Sequence, residues 1–212
     1  MMKNLLLSNI ILLFFSACSI AHYGSLAKIK DADNTPPSSL FGENFNSYLF
    51  KTNIRVYGRD FSGLLITKQL EPNDYRVIFT TELGMKLFDF EFKDTAFTLH
   101  YCVPQFNRPK LLSTIQQDIS ILLMNDLKGK SILSLIGKNS FYKIKRIDTG
   151  KYSNYYFFEK DSNRLIKIEH SKRFTKKIVF MLTEYQENFP NTIIIKHSNI
   201  RLKIELKRLR KQ

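Results

Sequence analysis

The sequence predicts a mainly β domain: about ten or eleven antiparallel strands in one open, curled sheet, with a single amphipathic helix laid across its mouth. Three observations predict it. Apolar and polar residues alternate with period two in run after run from Tyr48 onward. Turn signals such as Glu71-Pro72-Asn73-Asp74 and Asp161-Ser162-Asn163 separate these runs. The period switches clearly to that of a helix once, between Pro109 and Leu123. A sheet of this size accumulates twist and tends to curl, so the expected architecture is an antiparallel half-barrel with a helical lid.

The elements follow in order. Tyr48, Phe50, Thr52, Ile54 and Val56 share one face of the first strand, and a second runs from about Phe61 to Gln69. Tyr75, Val77, Phe79 and Thr81 alternate in a third. After Glu82-Leu83-Gly84, Phe88, Phe90 and Phe92 alternate with Asp89 and Glu91, and Phe97, Leu99 and Tyr101 continue the meander. Asn107 is placed to cap a helix entered through Pro109. Its stripe is Leu111, Leu112, Ile115, Ile119, Leu122 and Leu123, with Gln116, Gln117, Asp118 and Ser120 largely opposite. A loop is expected around 128–139. Strands then resume over 141–147, 152–159 and 165–170, through Ile178, Phe180 and Leu182, over 192–197, and in the run Ile200, Leu202, Ile204 and Leu206.

The N-terminus reads as an address. Lys3 gives a short positive region, and the apolar run Leu5–Phe15, as a helix of ~1.5 Å per residue, reaches about 16 Å, well short of a ~30 Å hydrocarbon core. That is the size of a signal-peptide core rather than of a membrane span. Residues 1–17 are therefore expected to be a signal peptide, 18–39 a tether containing Pro36, Pro37, Ser38 and Ser39, and 40–212 a single domain, expected to be a monomer. Phe15-Ser16-Ala17-Cys18 resembles the bacterial lipobox. That resemblance implies cleavage before Cys18, a lipid on its sulfur and, with Ser19 following, an outer-membrane address. Two or more acyl chains give stable anchoring where one is marginal. An ordinary secreted protein with a chance cysteine is the alternative.

The formal net charge is +14, an excess that attracts polyanions. Anionic lipid headgroups rank first, because nucleic acid conflicts with an export signal. A merely solvated basic surface is the other reading, and it also applies to the tail Lys207-Arg208-Leu209-Arg210-Lys211. With Cys18 lipidated, Cys102 is a lone thiol and no disulfide staples the fold. His22, His100, His170 and His197 lack metal-ligand spacing, and no nucleophile elbow or phosphate loop occurs. Asp89 with Glu91 reads as a solvated strand face rather than a catalytic carboxylate pair. No catalytic residue, cofactor or metal site is expected, and nothing points to an enzyme.

Phe61-Ser62-Gly63, the stretch from Tyr75-Arg76 to Thr80-Thr81-Glu82-Leu83-Gly84, and Phe189-Pro190 followed by the closing strands together resemble the LolA/LolB family of lipoprotein carriers and receptors. The order of elements over roughly 45–207 resembles it too. The resemblance implies an open β-barrel whose apolar concave face, covered by helices, holds acyl chains. It also implies a lipoprotein or other amphiphile as cargo, a periplasmic carrier as partner, and a protruding apolar loop residue at Leu83 that passes cargo into the membrane. On physical grounds, a half-barrel with a lid leaves a cleft. Its candidate lining is Leu64, Ile66, Val77, Phe79, Phe88, Phe90 and Phe92, with Leu112, Ile115, Ile119 and Leu122 from the lid; each of these also fits ordinary core, and Leu83 also fits a tucked turn residue. A non-catalytic scaffolding lipoprotein of an envelope complex is the competing function.

Overall fold

The computed structural model describes residues 26–29, 36–37, 39–42, 45–127, 130–137, 141–173 and 175–209. Cys18, the signal segment and most of the expected tether lie outside them. Thirteen described strands form one antiparallel sheet: β1 (Leu26–Lys28), β2 (Ser47–Val56), β3 (Arg59–Glu71), β4 (Asp74–Thr80), β5 (Lys86–Lys93), β6 (Ala96–Cys102), β7 (Ile132–Gly137), β8 (Tyr142–Thr149), β9 (Tyr152–Glu159), β10 (Leu165–Lys172), β11 (Thr175–Gln186), β12 (Phe189–His197) and β13 (Leu202–Leu209). One helix, α1 (Pro109–Leu122), and a 3-10 turn at Asn125–Leu127 lie between β6 and β7.

The spatial order is β1-β7-β8-β9-β10-β11-β12-β13-β2-β3-β4-β5-β6, with β1 and β6 as open edges. The chain begins its meander at β2 in the middle of the sheet and works outward to β6. It then crosses through α1 to the far side and works back until β13 pairs with β2, from Leu202 opposite Val56 to Leu209 opposite Leu49. The crossing carries the helix over the concave face.

Three expectations about elements need correction. The stretch 128–139, expected as a loop, contains β7, and the expected tether contributes β1, so the described strands exceed the expected ten or eleven. Ile132-Leu133-Ser134-Leu135-Ile136 is apolar almost throughout because β7 packs on both faces: Ile132 joins the main core, and Leu135 joins a small cluster on the convex side with Ile144, Tyr155 and Phe157. The helix begins at Pro109 as expected, but its N-cap is Arg108 rather than Asn107, in extended conformation and without a side-chain cap bond.

Local chemistry explains the hairpins. β2 and β3 join through Tyr57-Gly58, both at positive φ, the two-residue turn whose twist matches the strands. Gly63, in the middle of β3, lies where a side chain cannot: a Cβ there would stand 1.9 Å from the Thr80 carbonyl oxygen.

The candidate binding trough and its lid

The concave face is lined by one apolar set. Phe50, Ile54 and Val56 of β2, Val77 and Phe79 of β4, Phe88, Phe90 and Phe92 of β5, Phe180, Ile195 and Ile204 are all buried, and Leu111, Ile115, Ile119 and Leu122 of α1 press onto them. Phe61, Phe79, Phe88 and Phe106 close one end as an aromatic cluster with ring centroids 4.6–6.2 Å apart. Below the lid remains an apolar cavity of about 20 Å³, lined by Val77, Phe88, Ile115, Ile119 and Leu122 among others. That is room for about one water, far below the ~300 Å³ of a small-ligand site. The trough is present, and in this state the lid fills it.

The expected lining residues divide accordingly. Val77, Phe88, Ile115, Ile119 and Leu122 border the cavity; Phe79, Phe90 and Phe92 are buried core on the same face, and Leu112 sits half-buried at its margin. Leu64 and Ile66 belong to the other face. In β3 the buried positions are Gly63, Leu65 and Thr67, with Leu65 opposite both Phe50 and Phe79. The run Leu64-Leu65-Ile66 has no alternation to reveal its phase, and the neighbouring strands set it.

Two polar ties fasten the lid to the floor. His197 of β12 and Asp118 of α1, both with fully buried side chains, meet at 3.0 Å between Nε2 and Oδ1. The His197 Nδ1 donates to the Leu202 carbonyl at 3.1 Å. In the neutral ring, Nε2 therefore carries a lone pair, and its contact with Asp118 requires a proton between them. Burial pushes the Asp118 carboxyl up to about 6, against the downward pull of His197. Its other oxygen, Oδ2, has no hydrogen-bond partner among the described residues, an orphan far cheaper on a neutral acid than on a carboxylate. Asp118 thus leaves the polar helix face on which the sequence placed it and joins the buried stripe, three residues after Ile115.

The second tie is His170 of β10, whose Nδ1 donates to Asn154 Oδ1 at 2.7 Å and whose Nε2 accepts from the Gln117 amide at 3.3 Å. Burial, with a smaller push from His197, lowers its pKa to about 4, so the ring is neutral. Tyr152 stacks on it at 4.6 Å. His170 and His197 both pair with Ile178, one from each neighbouring strand, which places them on either side of it on the concave face. Neither tie was legible in sequence: Asp118 and His197 are 79 residues apart, and no spacing motif joins them.

The two ends of the sheet differ. At the end where β2 turns into β3, the β4–β5 loop also emerges, and on it Leu83 is 99% exposed and Met85 63% exposed. Leu83 is therefore presented to solvent rather than tucked against a strand. The opposite end holds a groove of about 700 Å³ lined by Phe41, Tyr48, Phe158, Leu165 and Phe189 and by Lys143, Lys145, Arg164 and Arg208. Arg208, in the tail read above as either solvated or headgroup-facing, lies 5.0 Å over the rings of both Tyr48 and Phe189.

The remaining candidates are structural. Asp89 is 1% exposed, not solvated as its alternation suggested. Arg76 and Lys86 hydrogen-bond it, and Arg76 also reaches Glu91 at 2.9 Å. Burial raises the Asp89 pKa, and these cations outweigh it, holding the carboxyl below its ordinary value. Cys102 is half-buried and free, and burial raises its thiol pKa, the opposite of an activated nucleophile. No helix among the described residues is long and apolar enough to cross a membrane.

No family model and no curated protein matches the chain. Solved structures do. A LolA superfamily protein from Nitrosomonas europaea superposes with a TM-score of 0.51 at 10% identity, over 79% of this chain and 87% of that one. A DUF1329 family protein from Desulfovibrio piger gives 0.48 at 6% identity, over 77% and 84%. A domain described as an outer membrane lipoprotein-sorting protein from Vibrio parahaemolyticus gives 0.47 at 7%, over 79% and 85%. With the first of these the chain shares one architecture, an open antiparallel sheet closed over by a helix: it has a LolA-like fold.

Proposed function

We propose that the chain is a lipid-anchored envelope protein that takes acyl chains of lipoproteins or other amphiphiles into the trough beneath α1 and releases them into a membrane. The observation that carries this reading is the apolar trough closed by a single helix. Exposing Leu111, Ile115, Ile119 and Leu122 to water would cost roughly 6–12 kcal/mol at about 1.5–3 kcal/mol per side chain, so the lid does not lift into water unaided. An acyl chain sliding under it replaces that exposure. At ~0.8 kcal/mol per methylene, about 8–15 buried methylenes offset the cost, the length range of a biological acyl chain. Binding of this kind is exchange of one apolar partner for another and involves no covalent chemistry.

Leu83 supports the release step. A leucine that contributes no buried area to its own domain is placed to enter a bilayer, and anchorage through Cys18 would hold it near one, in the outer membrane facing the periplasm. A carrier protein would deliver the cargo. Native mass spectrometry of the protein isolated from its own envelope tests the reading: co-purified lipid is expected, and consistent absence of lipid would favour the scaffolding alternative. In a Leu83→Glu variant, acyl binding is expected to persist while transfer to liposomes falls; unimpaired transfer removes the loop from the mechanism.

A further inference from the structure

The groove at the end opposite Leu83 has a chemistry that acyl-chain binding alone does not require. Its floor is aromatic and apolar, with Phe41, Phe158, Leu165 and Phe189 buried. Its rim carries four cations, Lys143, Lys145, Arg164 and Arg208, against one carboxylate, Glu187, among the described lining residues. Lys143 and Lys145 sit at alternate positions of β8, so both project to the same face as Ile147 of the core. Arg208 is held over two rings, and Arg164 lies 5.5 Å over Tyr185 while donating to the Glu187 carbonyl at 3.3 Å. Among the described residues neither guanidinium pairs with a carboxylate, and a guanidinium held in this way keeps donors for a phosphate or carboxylate.

The groove also leads inward. Phe41 lines both it and the small cavity under the lid, and its ring packs 5.1–6.5 Å from those of Phe45, Tyr48, Phe50 and Phe189. It stands as a plug between a basic mouth of about 700 Å³ and the collapsed trough of about 20 Å³.

We infer that this groove is a headgroup site: it binds an anionic amphiphile with the anion on Lys143, Lys145, Arg164 and Arg208 and the acyl chain directed past Phe41 into the trough. The inference rests on the acyl-chain reading above and adds the sign and place of the headgroup. Charge complementarity selects an anion, and the buried aromatic floor selects one that carries a chain. A nucleic acid would need neither the floor nor the passage.

The test is calorimetric titration of the full chain, kept free of its own lipid by Cys18→Ser, with four probes below their micellar concentrations: dodecyl phosphate, dodecanoate, dodecylphosphocholine and inorganic phosphate. Dodecyl phosphate and dodecanoate are expected to bind at least tenfold more tightly than dodecylphosphocholine, and inorganic phosphate only weakly. A preference for dodecyl phosphate over dodecanoate identifies a phosphate headgroup as the source, and the reverse a free fatty acid. The Lys143→Glu variant, at an exposed position, is expected to weaken the anionic preference severalfold without lowering the unfolding temperature. Should that variant fold poorly, Arg164→Gln, at an exposed turn, is expected to reduce the preference severalfold. Equal binding of all three dodecyl probes overturns the headgroup site and leaves the trough. Inorganic phosphate binding as tightly as dodecyl phosphate marks a plain anion site and overturns it too. Failure of every dodecyl probe overturns both readings.

Discussion

The proton shared by Asp118 and His197 makes the closure of the lid depend on pH, and Asp118→Asn isolates that dependence. With an ordinary value of 3.8 when unfolded and about 6 when buried, the carboxyl binds its proton more tightly in the folded state. A raised folded-state pKa contributes stability that is fully present below pH 3.8 and is lost as the pH rises through about 6. The displacement corresponds to about 3 kcal/mol. Asparagine has the same shape, and its amide donates to the neutral His197 Nε2 without itself titrating. The variant is thus expected to match the wild type at pH 4 and to exceed it by up to about 3 kcal/mol at pH 8. For a chain of this size that is about 6–12 °C in Tm. Among the described residues, His197 shares the contact and His170 lies on the other side of β11, its neutral form resisting protonation down to about pH 4. Urea unfolding of both proteins across pH 4–8 measures the difference. A constant difference between the two curves would refute the argument that this pair holds a proton beneath the lid.

Three further outcomes follow from other positions. Gly63→Ala is expected to cost several kcal/mol, since its Cβ would meet the Thr80 carbonyl at 1.9 Å and the β3–β4 ladder must move; thermal unfolding reads it. Arg76→Gln is expected to cost about 2–4 kcal/mol near pH 7 by leaving Asp89 ionised and underpaired. The Asp89 carboxyl is held below its usual value, so its contribution is lost as the pH falls, and the deficit should shrink on acidification. Phe41→Ala is expected to cost about 3 kcal/mol through the cavity it leaves while speeding uptake of a fluorescent fatty acid; slower uptake would mean that the ring guides entry rather than plugging it.

What could be read in sequence, and what could not, follows the range of the forces involved. Alternation marked β2, β4 and β5 because each sets apolar residues on the concave face against polar ones on the other; Phe88-Asp89-Phe90-Glu91-Phe92 shows both strand and phase, even though Asp89 is buried among its cations. It failed for β7 and for the phase of β3, where apolar residues fill both faces and neighbouring strands decide. The helix was plain from its stripe, yet Asp118 within that stripe looked like a solvent residue, because its partner on β12 is remote in sequence. The basic groove was invisible for the same reason: Lys143, Arg164 and Arg208 lie on different strands and turns and meet only when the sheet curls. Leu83 is singled out only through the family resemblance, and its turn fits a protruding or a tucked leucine equally; the exposed β4–β5 loop decides between them.

The pairing of β13 with β2 has a consequence for assembly. The seam at the sheet's centre joins the first long strand to the last, so its hydrogen bonds close the longest loop in the molecule and carry the largest entropic cost. Apart from β1, which pairs with the distant β7, each wing can meander up from local turns before that junction zips. Removing the final strand would therefore not trim a border. It would split the sheet through its middle and leave two wings held together by the helical crossing and by the chain that links β1 to β2.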